Sequence, residues 1–365
     1  MTSALREYVR VAFAPPRYLA LPFAGIDLST SGVKAVRLTK GAHDLVLDGY
    51  ADVRLPSGAF ADGEIVDRLA VAQTLASAAA SAGISSANVA LSESKSYLFE
   101  TMALGVKREE WRVAVEQHLD EFVPLPPAET IFDVVNVGQD EQGSPRVAGV
   151  GFARRIVDDV LSVFDQAGIS VQALEGETFA SSRALLPRGD ESTALIIDVG
   201  RSTTKIAIVT RRIPRFATTI GIGGHSLTLA VQKHFGVTEA EARKIKAERG
   251  IVPIPGNEDY LATMLSTVSA IRDEISTRLE YWQEKKAASG SHIPVSHAIL
   301  VGGNASLRGF PEYLEGALGI PVVAGDVFTN FASRDRWIPT LDYTESLACA
   351  TAIGLALRDD IQPYA

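Results

Sequence analysis

Apolar residues along this chain gather in short runs closed by polar or glycine-rich turns, and the runs alternate with stretches of helical spacing. Strands are predicted at residues 35–38, 45–53, 131–137, 147–152, 194–198, 205–209 and 298–301. Met264, Val268, Ile271, Ile275, Leu279 and Trp282 fall three and four apart, the single stripe of an amphipathic helix packed on a core. Ile156, Val160 and Phe164 repeat every fourth residue, with Asp158, Asp159 and Asp165 off that stripe. From Arg108 to Val123 a further helix is predicted, with Trp111, Val115, Leu119 and Phe122 on one face and Pro124, Pro126 and Pro127 as its stop. Gly143 to Pro145 reads as a hairpin tip. Strands alternating with helices predict α/β lobes.

One segment occurs twice. Asp27-Leu-Ser-Thr-Ser-Gly-Val-Lys34 aligns without a gap on Asp198-Val-Gly-Arg-Ser-Thr-Thr-Lys205, the two aspartates standing 171 residues apart. In each copy an apolar run ends in Asp, small hydroxyl and glycine residues follow, and Lys opens the next apolar run: strand, tight turn, strand. One such turn is commonplace, but two in register, one per half, point to a shared task. Backbone N–H groups and hydroxyls in such turns donate to phosphate oxygens, and an Asp at the strand end is placed to orient a hydrated Mg²⁺. The candidate phosphate contacts are Ser29, Thr30, Ser31 and Lys34 in the first copy and Gly200, Arg201, Ser202, Thr203 and Thr204 in the second, with Asp27 and Asp198 at the metal. Facing copies would clamp one polyphosphate. A third segment, Ala298 to Pro311, runs a short apolar strand into Gly302, Gly303 and Asn304 and then a helix. Glycines there let a flat ligand approach the backbone, which supplies a base and ribose site.

Composition narrows the classes. A chain of 365 residues is too long for one ordinary core and suits two lobes of about 150 residues each. With 46% apolar and 22% charged residues it has the material for a large core. Acids (44) outnumber Lys and Arg (35), giving −9, which disfavours a general nucleic-acid binder. Cys349 is the one cysteine, which excludes a disulfide scaffold or Cys-rich zinc site and suits a reducing, cytoplasmic compartment. His43, His118, His225, His234, His292 and His297 have no ligand partner at metal spacing. No Gly-x-Ser-x-Gly elbow is present, so nucleophilic catalysis has no candidate. No apolar run reaches the ~18 residues of a spanning helix. Pro15 and Pro16 break the N-terminal stretch from Ala4 to Phe23, which argues against a signal peptide. That stretch reads either as an arm packed on its own domain or as a short basic helix on lipid.

The three motifs in this order resemble those of the actin, Hsp70 and sugar-kinase superfamily, and within it the PilM family of type IV pilus assembly, with FtsA as a relative. The likeness runs from Ala24 to Arg358. It includes Val115 to Pro126, Ile220 to Thr228, Ala242 to Lys246 and Ala352 to Leu357. Three positions depart from the family pattern. Ser29 stands where glycine is usual, Arg243 replaces a glutamate, and Arg201 is an unusual cation in the second turn.

The resemblance implies an actin-like, ribonuclease-H-like two-lobe fold with ATP and Mg²⁺ between the lobes. It divides the chain into an arm at 1–23, a first lobe at 24–185, a second lobe at 186–345 and a C-terminal helix at 346–365 returning to the first. An accessory subdomain near 92–137 borders a groove for the cytoplasmic tail of a PilN-type membrane protein. Lys246 is implied along the adenine or ribose. Glu177 is the candidate for positioning water on the γ-phosphate, with Glu175 as an alternative and helix capping as the competing reading. Slow ATP turnover, lobe closure that switches partner affinity, contacts with other pilus assembly proteins, self-association and a place at the inner membrane through the partner follow as expectations. A sugar or carboxylate kinase of the same superfamily is the alternative.

Overall fold

In the first lobe, β1 (Phe23–Ser29) and β2 (Gly32–Lys40) form a hairpin with Asp27 opposite Lys34. β3 (Leu45–Arg54) extends it antiparallel and sets Asp52 opposite Lys34, so three charged residues form one row across the sheet. A short hairpin, β4 (Phe60–Ala61) with β5 (Glu64–Ile65), leads into α1 (Arg68–Ala82), and β6 (Ser86–Leu91) returns parallel to β1. The chain then leaves the core to build a smaller sheet from β7 (Tyr97–Met102), β8 (Thr130–Gln139) and β9 (Pro145–Ala153), with the short helix α2 (Trp111–Glu116) between β7 and β8 in sequence. α3 (Arg154–Gln166) and β10 (Ser170–Gly176) complete the lobe, whose sheet runs β10-β6-β1-β2-β3. The computed structural model describes residues 23–40, 45–103, 107, 110–139, 143–288, 293–331 and 337–358. The rest of the N-terminal arm, His43, Arg108, His292 and the tail after Arg358 lie outside these residues.

α4 (Glu177–Leu185) crosses to the second lobe, where the plan repeats. β11 (Thr193–Val199), β12 (Thr204–Thr210) and β13 (Ile213–Ile220) form the antiparallel half. Helices α5 (Gly224–Phe235), α6 (Glu239–Arg249) and α7 (Glu258–Ala288) follow, then β14 (His297–Val301), α8 (Phe310–Leu318) and β15 (Val322–Ala324). The order β13-β12-β11-β14-β15 matches the first sheet strand for strand, in direction as well as position. Asp198 again stands opposite Lys205. Two residues separate the paired strands in the first hairpin and four in the second, yet the spacing from Asp to Lys is conserved between them.

Patterning explains the layers. The predicted stripe from Met264 to Trp282 is buried along α7, because one continuous apolar face must lie on the second sheet. Ile156, Val160 and Phe164 of α3 are likewise buried. The helix predicted from 108 to 123 is shorter: α2 ends at Glu116 and a 3-10 turn follows at Leu119–Glu121. The tighter turn still sends Leu119 and Val123 into one cluster with Trp111 and Val115, and Phe122 stacks on Phe99 at 5.0 Å. The accessory sheet also recruits β9, beyond the stretch ending at 137.

The chain closes with α9 (Tyr343–Leu347) and α10 (Ala350–Ala356). α10 lies against α4, and the crossing is backbone to backbone: a Cβ on Gly354 would stand 1.8 Å from the Ala180 carbonyl oxygen. Arg183 of α4 locks the crossing, donating to Gly354 O at 2.9 Å and pairing with Glu175. Gly354→Ala should therefore force the helices apart and lower stability by about 1–3 kcal/mol, the usual cost of overpacking. Gly316→Ala, on α8 with open space around its Cβ, should raise stability by about 0.5–1 kcal/mol. Urea unfolding of both variants checks the pair.

Candidate functional site

The Asp-bearing strand ends of the two sheets face one cleft of about 390 Å³ between the lobes. Ser29, Thr30 and Ser31 of the first turn line one side; Gly200, Arg201 and Thr203 of the second turn line the other. Asp27, Lys34, Asp52 and Arg54 from the first sheet, and Asp198 and Lys205 from the second, form the polar floor. The turn at Ser29 is internally bonded: Ser29 Oγ lies 2.9 Å from Ser31 Oγ, and Lys34 Nζ donates to Ser31 Oγ at 3.0 Å. Ser29, the departure from the family pattern, is thus accommodated by a hydroxyl pair.

Charge is concentrated at the floor. Lys205 Nζ donates to Glu177 Oε1 at 2.8 Å and sits 3.9 Å from Asp198 Oδ2. Burial disfavours the ammonium, but Glu177, Asp198 and Asp27 around it outweigh that and hold Lys205 well above the ordinary lysine value. Asp27 is 5% exposed; burial first, then repulsion from Glu177, raises its pKa to about 6, against the pull of Lys205 and Lys34. Its Oδ1 is buried and has no hydrogen-bond partner among the described residues. An acceptor left this way suits a donor or cation entering from the cleft. Among the described residues no group of three His, Cys, Asp or Glu is placed to ligate an ion. The donor set fits a hydrated Mg²⁺ shared between Asp27, Asp198 and ligand phosphates, the usual habit of that ion.

The far end is built from backbone and one clasp. Gly302 has φ +90, and a Cβ there would lie 2.3 Å from Asp198 Oδ1, so only glycine lets β14 turn past the aspartate. Asn304 Nδ2 donates to the carbonyls of Val199 and Gly200 at 3.2 and 3.0 Å, while its Oδ1 accepts from Lys246 Nζ at 2.8 Å. Lys246 also donates to Gly224 O at 3.0 Å. Burial, with Arg243 close by, lowers Lys246 to about 8. A capping box of Thr238 and Glu241 starts α6 and so fixes where Arg243 and Lys246 emerge. Arg243 pairs with Glu239, whose carboxylate also lies 3.6 Å from the Arg201 guanidinium as an ion pair.

Most predicted residues meet at this cleft: Asp27, Ser29, Thr30, Ser31, Lys34, Asp198, Gly200, Arg201, Thr203, Lys246, Gly302, Gly303 and Asn304. Two of the predicted phosphate contacts do not line it. Thr204 is fully buried, its hydroxyl donating to Ile222 O at 2.7 Å, and Ser202 is exposed on the turn. Glu177 lies behind the floor, 3% exposed, with Oε1 on Lys205 and Oε2 accepting from the Glu93 N–H at 2.8 Å. Glu175, the alternative carboxylate, faces elsewhere and pairs with Arg183. Lys205 is the residue that reading the motifs left out, although shifting Lys34 by the repeat offset points to it. Asp52 and Arg54 reach the cleft through strand pairing, and Thr351 through α10, neither of which leaves a local sequence signal.

A twice-repeated five-stranded sheet with a polar cleft between the copies defines an actin-like protein. Solved structures agree on the fold. The PilM-PilN type IV pilus biogenesis complex superposes with a TM-score of 0.75 at 19% identity, covering 92% of this chain and 97% of that one. MreB5 of Spiroplasma citri bound to ADP gives 0.56 at 14% identity, covering 93% and 97%. Among curated proteins, the cell division protein FtsA of Streptococcus pneumoniae is 23% identical over 342 residues, 82% of this chain and 74% of the relative. MreB of Escherichia coli is 25% identical over 183 residues, 42% of this chain and 52% of the relative. The model of the type IV pilus assembly protein PilM family matches residues 25–360, and the chain belongs to that family.

Asp27 ties the cleft to stability. Its pKa is about 6 folded against an ordinary 3.8, so between those values the folded chain holds a proton that the unfolded chain lacks. The fold therefore loses stability as pH rises through that window, and at pH 7 the ionised Asp27 costs on the order of 2–3 kcal/mol. Asp27→Asn should raise the melting temperature of the ligand-free chain at pH 7, with the gain shrinking toward pH 4. Calorimetry across that range checks it.

Proposed function

We propose that this chain is an ATP-binding scaffold of type IV pilus assembly, with Mg·ATP between the lobes and the cytoplasmic tail of a PilN-type membrane protein in a groove beside the accessory sheet. The observation that carries the nucleotide half is the pair of matched Asp–Lys hairpins facing across one cleft, with the Asp27 Oδ1 buried and unpartnered among the described residues. Asp27 and Asp198 would hold the hydrated ion, which supplies charge neutralisation to the phosphates when bound. The two turns bind the phosphates, Lys34 and Arg201 add positive charge, and Gly302 and Gly303 give the base a flat approach beside Lys246. Asn304 acts by holding Lys246 and the second turn in place.

Slow turnover is part of this reading. Glu177, the proposed water-positioning carboxylate, is committed to Lys205 and to the Glu93 N–H, and it must leave Lys205 to meet a water in the cleft. The carboxylates that line the cleft, Asp27, Asp52 and Asp198, all belong to the two Asp–Lys rows, which favours the scaffold over a small-molecule kinase needing its own base.

The partner half rests on an apolar groove of about 170 Å³ between the accessory sheet and the first lobe. Ile131, Val135 and Val150 form one wall, and Leu91, Leu174 and Phe179 the other. Such a slot takes alternate side chains of an extended peptide. The similar solved protein is a complex with PilN, which supplies the class of partner. A membrane-anchored partner of this kind would keep the chain at the inner face of the membrane; no helix among the described residues is long and apolar enough to cross it.

Two titrations test the halves separately. Asp198→Ala should weaken Mg·ATP binding, read by a fluorescent ATP analogue, at least about tenfold, or 1.4 kcal/mol, with an unchanged circular dichroism spectrum. Val135→Asp and Ile131→Asp should weaken a peptide of the PilN cytoplasmic tail at least about tenfold in calorimetry and leave nucleotide affinity alone. Undiminished ATP binding by Asp198→Ala would remove the clamp from the proposal.

A further inference from the structure

The accessory sheet packs on the first-lobe core through Phe152, Ile131 and Val150, and it is also fastened to the second lobe. Glu100 on β7 pairs with Arg146 of its own sheet and with Arg215 on β13 of the second lobe, where Arg215 Nε donates to Glu100 Oε2 at 2.9 Å. Both partners of the inter-lobe pair are shielded, Arg215 at 7% and Glu100 at 16% exposure. Beside them Ile213 of β13 packs with Ala148 of β9 and Phe179 of α4 in one small apolar cluster. Ala148 and Phe179 stand on opposite walls of the groove. A second connection starts in the cleft. Lys205 holds Glu177, Glu177 accepts from the Glu93 N–H, and Glu93 accepts from Thr178 and from Ser96 Oγ, the residue before β7.

We infer that closure of the lobes over a nucleotide changes the width of the accessory groove, the second lobe moving the accessory sheet through Arg215 and Glu100. The inference rests on the nucleotide reading above and names how the two sites communicate. One groove wall, Leu91 and Leu174, stands on the first-lobe sheet and stays with it. The other wall stands on a sheet of three strands whose Glu100 is held by Arg215 of the second lobe in a half-buried pair. Packed, hydrogen-bonded elements transmit such a displacement instead of absorbing it. An extended peptide that prefers one groove width then prefers one nucleotide state, and by linkage the nucleotide prefers the peptide-bound form to the same degree.

Spin labels on the full chain at Asp133→Cys on β8 and Ser170→Cys on β10, both exposed positions, measure the distance across the groove. Cys349 is buried, and burial pushes its thiol up to about 12, so it stays unlabelled. In the labelled parent, AMPPNP with magnesium should shift the distance distribution. Arg215→Met and Glu100→Gln, both outside the cleft, should abolish that shift while AMPPNP affinity stays within about twofold, and Arg215→Lys should keep it; a melting curve for each variant confirms its fold. An equal shift in Arg215→Met or Glu100→Gln, or a parent that binds AMPPNP with no shift, overturns the coupling and leaves the nucleotide reading standing. A parent that binds no AMPPNP removes both.

Discussion

One ammonium group, that of Lys205, sits where the halves of the molecule meet. It is bonded to Glu177 on the crossing helix, near Asp198 of its own hairpin, and within the field of Asp27 from the other lobe. Buried carboxylates repel one another, and without a cation among them the cluster would be held apart or protonated. Lys205 lets three acidic groups from three elements share one small volume. The geometry of the cleft and the burial of Glu177 follow from that arrangement, while the raised pKa of Asp27 comes first from its own burial, against the pull of Lys205.

The same charges set the character of the site. Asp27 is held in a state unfavourable to the ligand-free fold, with an oxygen that nothing among the described residues satisfies. Functional sites commonly retain such local strain because the ligand relieves it. Meanwhile Glu177 has both oxygens engaged, the observation behind the slow turnover proposed above. In the proposed coupling, binding energy goes into the relative position of the lobes, where α4 and α10 cross with their backbones in contact at Gly354 and Ala180.

The accessory sheet gives that position a readout. Its hydrophobic cluster around Trp111, Leu119 and Phe132 is separate from the main cores, while Phe152, Ile131 and Val150 join the sheet to the first-lobe core. Its attachments, however, reach both lobes through Glu100 and through the small cluster of Ala148, Phe179 and Ile213. A unit with its own core and attachments on two bodies is suited to reporting the angle between them.

Much of this was legible in the residues themselves. Apolar runs marked β2, β3, β11, β12 and β14 of the large sheets, the three-and-four spacing marked α7, and the repeat at an offset of 171 residues marked the two hairpins that carry Asp27 and Asp198. Those features are local: alternation, helical period and turn chemistry act within a dozen residues. What the order of residues left open was set by contacts between distant segments. The helix expected from 108 to 123 broke into two turns because its apolar face had to curve around Phe99 and Phe132. Thr204 turned inward to the Ile222 carbonyl, Asp52 and Thr351 joined the cleft, and Glu177 withdrew behind Lys205. Each depends on which sheet, helix or hairpin lies opposite, and only the folded chain brings those partners within reach of hydrogen bonds and charges that act over a few ångströms.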